Sequence, residues 1–212
     1  MSTFLIADDH PLFREALQAA LLPFFNDMEI IEADSLHNTI SAIKKHPDID
    51  VILLDLTMPG ADHYYGLTAV LDKCANIPVV VITATDNEES VNIAMHLGAK
   101  GFIPKSYTSR KMAHAIMNVL NGGTFIPDRY IDAISSTHPE MLTAIELVKE
   151  LTPKQLLVIK CLKQGKKNKE IAGELCVTEA TIKAHISAIF KKLNVTSRTQ
   201  IVLLFEKLDT VN

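Results

Sequence analysis

The 212 residues give room for one sizeable hydrophobic core or two modest ones. With 48% apolar and 22% charged residues, 8 glycines and 9 prolines, the chain is neither disordered nor fibrous. A formal charge of -4 excludes a protein that is basic overall, and no apolar run approaches the roughly 18 residues of a membrane span.

Up to Gly123, short β-rich runs alternate with longer segments of helical spacing. Strands are expected at Thr3–Ala7, Met28–Ala33, Asp50–Leu54, Val79–Thr83 and Gly101–Ile103, and helices near 11–24, 36–46, 66–75, 88–97 and 107–120. In the last of these, Met112, Ala115, Ile116, Val119 and Leu120 recur at three and four residues and form one apolar stripe. Five strands alternating with five helices predict an α/β unit whose parallel sheet is covered on both faces, with functional groups gathered at the carboxyl ends of the strands. Asn121-Gly122-Gly123 stops the fifth helix, because glycine accepts the left-handed conformation that closes helices. The stretch from Ser135 to Pro139 reads as a linker, with short helices at 128–134 and 141–149. From Leu151 the pattern is helical only, with helices near 153–164, 168–175, 179–193 and 198–208 and breaks at Gly165, Val177-Thr178 and Asn194–Ser197. The expected divisions are therefore 1–123, a partly helical linker over 124–150, and 151–212.

The charge divides unevenly along this plan. Residues 1–128 hold 8 Lys+Arg against 16 Asp+Glu, a net of -8, whereas residues 151–212 hold 11 against 5, a net of +6. Such asymmetry suggests an anion-binding module attached to an acidic one, and the opposite signs give the two a reason to hold each other. The three cysteines, Cys74, Cys161 and Cys176, are an odd count without a CxxC pair, which fits neither a disulfide framework nor a cysteine-rich zinc site and points to a reduced cytoplasm. The apolar start Phe4-Leu5-Ile6-Ala7 is too short for a signal peptide and meets Asp8-Asp9 at once.

Asp8 and Asp9 close the first strand and Asp55 closes the third, so three carboxylates converge on one sheet edge. Like charges placed together need a counter-cation, and an all-oxygen cluster with open positions suits Mg2+, which keeps waters and accepts a phosphate oxygen. Thr83 after the fourth strand and Lys105 after the fifth fall on the same edge. A hydroxyl donor, an ammonium and a divalent cation around one carboxylate form a clamp for the oxygens of a phosphoryl group. Each residue alone is an ordinary cap or turn; the set at successive strand ends is what carries chemistry. A haloacid-dehalogenase type of phosphatase would need a second Asp two residues beyond the nucleophile as general acid, and Thr57 stands there instead.

With Asp8-Asp9, Asp55 in Asp-Leu-Thr-Met-Pro-Gly, Thr83-Ala84 and Lys105-Ser106, the first 120 residues resemble the receiver domain of bacterial two-component response regulators. The resemblance implies a flavodoxin-like (βα)5 fold with Asp55 as phosphoacceptor. It implies Asp8 and Asp9 as Mg2+ ligands together with Asp55 and the backbone carbonyl of Thr57. Thr83 corresponds to the switch hydroxyl, Phe102 to the aromatic that turns inward with it, and Lys105 to the family's lysine. Members of that family commonly read Met-Pro-Gly-x-Asp-Gly-Leu, whereas here Ala61-Asp62-His63-Tyr64-Tyr65 precede Gly66-Leu67, so the loop is about three residues longer. Tyr64 and Tyr65 are candidate contacts for a kinase or a cover for the site. His63 lacks a second His or Cys spaced to make a metal site with it, and His10 is expected at a helix start rather than on a metal.

In the carboxyl-terminal part, Thr152-Pro153 opens a helix, and Ile171, Ala172, Leu175, Val177, Ile182, Ile186, Ile189 and Leu193 supply a small core. The third helix, capped by Thr178, presents Lys183, Ser187 and Lys191 at i, i+4 and i+8, a face that can lie in a major groove. A protein-interaction bundle with merely solvated lysines is the bland alternative. Asn168-Lys169-Glu170-Ile171-Ala172, Thr178 through His185, Lys191 through Val195 and Ser197-Arg198 are similar to the LuxR-type helix-turn-helix domain, over about 152–208. The whole chain thus resembles the NarL/FixJ class of response regulators: a receiver followed by a small all-α four-helix domain. Carried over, Lys183, Ala184 and Ser187 face bases, and Lys169, Thr181, Lys191, Lys192 and Arg198 contact phosphates. Relatives often carry a longer basic side chain where Ser187 stands. Ile201, Leu204 and Leu208 correspond to the dimer surface. The implied protein is a cytoplasmic transcription factor, not an enzyme and without a membrane partner. A sensor histidine kinase switches it, and as a homodimer it binds double-stranded DNA. A regulator of the same architecture that works without phosphorylation is the second hypothesis.

Overall fold

The computed structural model describes residues 2–25, 27–61, 64–135 and 139–210. The chain forms two compact units, residues 1–136 and 137–212. In the first, β1 (Ser2–Ala7), β2 (Met28–Ala33), β3 (Val51–Leu54), β4 (Val79–Thr83) and β5 (Gly101–Pro104) make one parallel sheet in the order β2-β1-β3-β4-β5. Each strand is followed by a helix: α1 (Pro11–Leu21), α2 (Leu36–Lys45), α3 (Tyr64–Leu71), α4 (Glu88–Leu97) and α5 (Ser109–Leu120). Every residue of β3 and β4 is buried, as in strands covered on both faces, whereas β2 at the edge leaves Glu29 and Glu32 exposed.

The period-two alternation of strand side chains divides the apolar residues into two cores. Leu5, Ala7, Ile52, Leu54, Val79 and Val81 pack with residues of α2, α3 and α4, while Phe4, Ile6, Val51, Leu53, Val80 and Ile82 pack with α1 and α5. Local signals set the helix ends. Ser35, Asn87 and Thr108 cap α2, α4 and α5 by accepting from the amides of Asn38, Ser90 and Lys111, and Gly98, at φ 119°, closes α4. α1 stops at Leu21, short of the expected 24, and α3 spans 64–71 where the spacing predicts 66–75. A Cβ at Gly66 would lie 2.6 Å from Ala61 Cβ, so glycine is required for α3 to pack against the loop that follows Asp55.

The segment expected as a linker, 124–150, divides between the units. A short 3-10 helix (Asp128–Tyr130) and α6 (Ile131–Ser135) belong to the first, with Ile126, Tyr130 and Ile134 packed against its core and α6 against α4. Residues 136–138, the centre of the expected Ser135–Pro139 linker, lie outside the described residues.

The second unit contains α7 (Pro139–Glu150), α8 (Pro153–Lys163), α9 (Asn168–Glu174), α10 (Glu179–Leu193) and α11 (Arg198–Thr210). Thr152 and Gln155 form a capping box at α8, with the Gln155 amide donating to Thr152 Oγ1 and the Thr152 amide to Gln155 Oε1. Ile171, Ala172, Ile182, Ile186, Ile189 and Leu193 are buried as their spacing predicts, and Leu175 and Val177 are half-buried. Between α9 and α10 the chain turns through Cys176 at φ 51°, a left-handed position where glycine is the easy residue.

Candidate functional site

Adjacent strands bring the acidic side chains together. The Asp55 amide donates to Ala7 O at 2.8 Å and the Asp8 amide to Ala33 O at 2.9 Å, so β3 and β1 end side by side and Asp8 and Asp55 face one point. Both are 1% exposed. The Lys105 ammonium reaches in from the end of β5, 2.7 Å from Asp8 Oδ2 and 2.9 Å from Asp55 Oδ2, and sits 4.5 Å from the centre of the Phe13 ring on α1. Burial pulls the Lys105 pKa down, but its close approach to the Asp8 and Asp55 carboxylates and their negative charges outweigh this and hold it above the ordinary lysine value. The Lys105 amide also donates to Thr83 O at 2.8 Å, fixing the ends of β4 and β5 together.

Thr57 turns back on Asp55, its amide donating to Oδ1 at 3.3 Å and its hydroxyl to Oδ2 at 2.9 Å. Thr83 is fully buried, and its hydroxyl oxygen accepts from the Thr85 amide at 3.2 Å. Phe102 is fully buried in the core that contains Leu54 and Val81. The inward position expected of this aromatic after phosphorylation is the one it occupies here. Tyr64 and Tyr65 open α3 half-buried, Tyr65 against the core, while His63 lies outside the described residues.

His10 is placed differently from the expectation of a helix start alone. It does occupy the N-cap position of α1, but without a side-chain cap bond. Its Nδ1 instead lies 2.8 Å from Asp9 Oδ1 and 3.2 Å from Asp8 Oδ1. The ligand atoms of Asp8, Asp9, His10 and Asp55 all fall within 4.8 Å of one another. Asp8 Oδ2 and Asp9 Oδ1 are buried and receive no hydrogen bond of good geometry despite the nearby Lys105 and His10 nitrogens. Converging carboxylate oxygens with lone pairs to spare fit a hard divalent cation.

In the second unit, Thr178 caps α10 by accepting from the Thr181 amide at 3.1 Å, and the two threonine hydroxyls are 2.9 Å apart. Lys183, Ala184, Ser187 and Lys191 are exposed on α10, and Lys169 is exposed on α9. The other two expected phosphate contacts are engaged within the unit. Lys192 Nζ donates to Glu150 O at 2.6 Å and to Gln155 Oε1 at 2.9 Å, and Arg198 donates to Asn168 Oδ1. Ile201 is corrected: it is fully buried, so it fills the core rather than a dimer surface. Leu204 is half-buried, the Leu208 side chain lies outside those described, and among the described side chains of α11 the exposed large apolar one is Leu203, at 54%.

A two-unit chain with a carboxylate-lysine site at the edge of a parallel sheet, followed by a helix-turn-helix, defines a DNA-binding signalling protein. Residues 4–117 match the response regulator receiver domain and residues 149–205 match the bacterial regulatory proteins of the luxR family. The chain belongs to the response regulators of the NarL/FixJ class, with a receiver domain and a LuxR-type DNA-binding domain. It is 41% identical over 208 residues to the glycerol metabolism activator of Pseudomonas putida, covering 96% of this chain and 94% of that one. It is 28% identical over 200 residues to the nitrate/nitrite response regulator protein NarL of Escherichia coli strain K12, covering 94% and 92%. The RcsB response regulator of Salmonella typhimurium shares the fold, with a TM-score of 0.58 at 20% identity over 97% of this chain and 100% of that one. Among the described residues, no helix is long and apolar enough to cross a membrane.

Proposed function

We propose that Asp55 receives a phosphoryl group from the histidine of a sensor kinase and that this modification controls DNA binding by the second unit, in a cytoplasmic transcriptional regulator. The observation that carries this is the buried Asp55 carboxylate sharing one lysine ammonium with Asp8, beside carboxylate oxygens that lack good hydrogen bonds. Asp8, Asp9, Asp55 and the Thr57 carbonyl would hold Mg2+, which would neutralise charge on the transferring phosphoryl oxygens. Asp55 Oδ1 accepts only the long Thr57 amide bond among the described residues, so it has a lone pair to give to phosphorus. As the O–P bond forms, the P–N bond to the kinase histidine breaks and its electron pair returns to the imidazole. Lys105 then bonds a phosphoryl oxygen, Thr83 donates its hydroxyl to another, and Phe102 remains packed inward beneath them.

In the second unit, Lys183, Ala184 and Ser187 would face base edges, while Lys169, Thr181 and Lys191 would supply phosphate contacts. Leu203 and Leu204 would carry the dimer contact on α11, placing two recognition helices on half-sites about one helical turn apart. The 41% identical relative is an activator by name, which favours activation for this chain.

Incubation with Mg2+ and acetyl phosphate, followed by intact-mass measurement, tests the chemistry. Wild type is expected to gain one phosphoryl group and Asp55→Asn none. Absence of any gain in wild type would overturn the phosphoacceptor assignment and leave a regulator that acts without phosphorylation.

A further inference from the structure

The segment expected as a partly helical linker is bonded both to β5 and to the loop that follows Thr83. At its start, Phe125 lies along the free edge of β5: the Phe102 amide donates to Phe125 O at 2.9 Å and the Phe125 amide to Lys100 O at 3.0 Å. A few residues on, the Tyr130 hydroxyl lies 2.9 Å from Asp86 O and 3.0 Å from Asp86 Oδ1, and its single proton serves one of them at a time. Arg129 donates to Asp86 Oδ2 while its guanidinium stacks 4.9 Å from the centre of the Tyr130 ring. Asp86 stands three residues beyond Thr83, in the loop whose first turn is closed by the Thr85 amide on the Thr83 hydroxyl oxygen. α6 continues directly from Tyr130 and packs on α4.

We propose that Asp86, Arg129 and Tyr130 form a latch that opens when Asp55 is phosphorylated, freeing residues 128–135 to lengthen the tether to the DNA-binding unit. This rests on Asp55 being the phosphoacceptor. When Thr83 turns its hydroxyl to a phosphoryl oxygen, the Thr85 amide loses its acceptor geometry and the loop carrying Asp86 shifts. The latch bonds are directional and hold a side chain that is partly solvated, so a displacement on the order of 1 Å takes them beyond hydrogen-bonding range. Phe125 stays paired with β5 through backbone bonds, which confines the release to the segment beyond it. The Tyr130 ring, packed with Ile126 and Ile134 against the core, supplies the restoring contact when the phosphoryl group is lost.

Hydrogen exchange of the full chain, followed by mass spectrometry with and without Mg2+ and acetyl phosphate, tests this. In wild type, amides of 128–135 are expected to exchange about tenfold faster after phosphorylation, the change that follows from losing one or two hydrogen bonds of ordinary strength. The Asp55→Asn chain shows no change. Arg129→Ala with Tyr130→Phe, which keeps the packed ring, exchanges fast without the phosphodonor and gains nothing from it, while amides of β3 stay protected as in wild type. Unchanged exchange over 128–135 in protein that carries the phosphoryl group by intact mass overturns the latch and leaves Asp55 as phosphoacceptor. Wild-type protection in the double variant overturns it as well. Failure to take up the phosphoryl group removes the phosphoacceptor assignment, and the latch then has no trigger.

Discussion

Lys105→Met is expected to destabilise the receiver unit by about 3 kcal/mol at neutral pH and to make its stability depend on divalent cations. The ammonium lies within 2.9 Å of both Asp8 Oδ2 and Asp55 Oδ2, and both carboxylates are buried. Removing one partner of a buried ion pair leaves an uncompensated charge, which typically costs about 3–5 kcal/mol. The lower figure applies because Lys105 keeps 15% of its side chain in solvent. Its folded pKa is raised, so its stabilising contribution is complete below the ordinary lysine value near 10.4 and is lost only as pH climbs past the folded value. The deficit of the variant should therefore not vary with lysine titration between about pH 6 and 9. A divalent cation on Asp8, Asp9 and Asp55 replaces the missing positive charge, so Mg2+ should raise the unfolding temperature of Lys105→Met more than that of wild type. Scanning calorimetry in chelator and in excess Mg2+ measures both. Equal Mg2+ responses would remove the cation site from these carboxylates.

Lys183→Ala is expected to weaken binding to a selected DNA site by about 5- to 150-fold, the range of one base contact worth roughly 1–3 kcal/mol. Lys183 is exposed one turn into α10, beyond the Thr178 cap that sets where the helix begins. Lys191→Ala, near the other end of the same helix, should instead weaken all sequences alike and reduce the salt dependence by about 0.9 in slope. Lys192→Ala belongs to a third kind. Its ammonium is bonded to Glu150 O and Gln155 Oε1, so its loss should lower the thermal stability of the second unit and change the salt slope little. Titrations of the three variants over a series of salt concentrations separate these outcomes. A Lys183→Ala variant with wild-type affinity and base preference would take α10 out of the major groove.

The strand ends were legible because two periodicities meet there. Val51-Ile52-Leu53-Leu54 is short, β-rich and apolar throughout, the pattern of a strand buried on both faces, and the next residue, Asp55, then falls on the carboxyl edge beside Asp8. The same logic placed Thr83 and Lys105. His10 was harder to place. The residue before Pro11 is predictably a helix start, but whether its ring turns to solvent or onto Asp8 and Asp9 depends on side-chain rotation that spacing does not encode. Residues 124–135 are too short for a period to show, so their packing through Ile126, Tyr130 and Ile134 was invisible until the core was assembled. On α11, Ile201, Leu204 and Leu208 share a stripe that suits a dimer as well as a core. The small unit buries Ile201 for its own stability and leaves Leu203 outward. Cys176 gave no sign of its left-handed backbone, because the turn before α10 imposes that conformation on whichever residue stands there.

The most direct test of the account is the affinity of the full chain for a selected DNA site at fixed salt, measured with and without acetyl phosphate and Mg2+ on wild type and Asp55→Asn. Phosphorylation is expected to shift wild-type affinity while Asp55→Asn, treated identically, does not move. Equal affinity of phosphorylated and unphosphorylated wild type would contradict it.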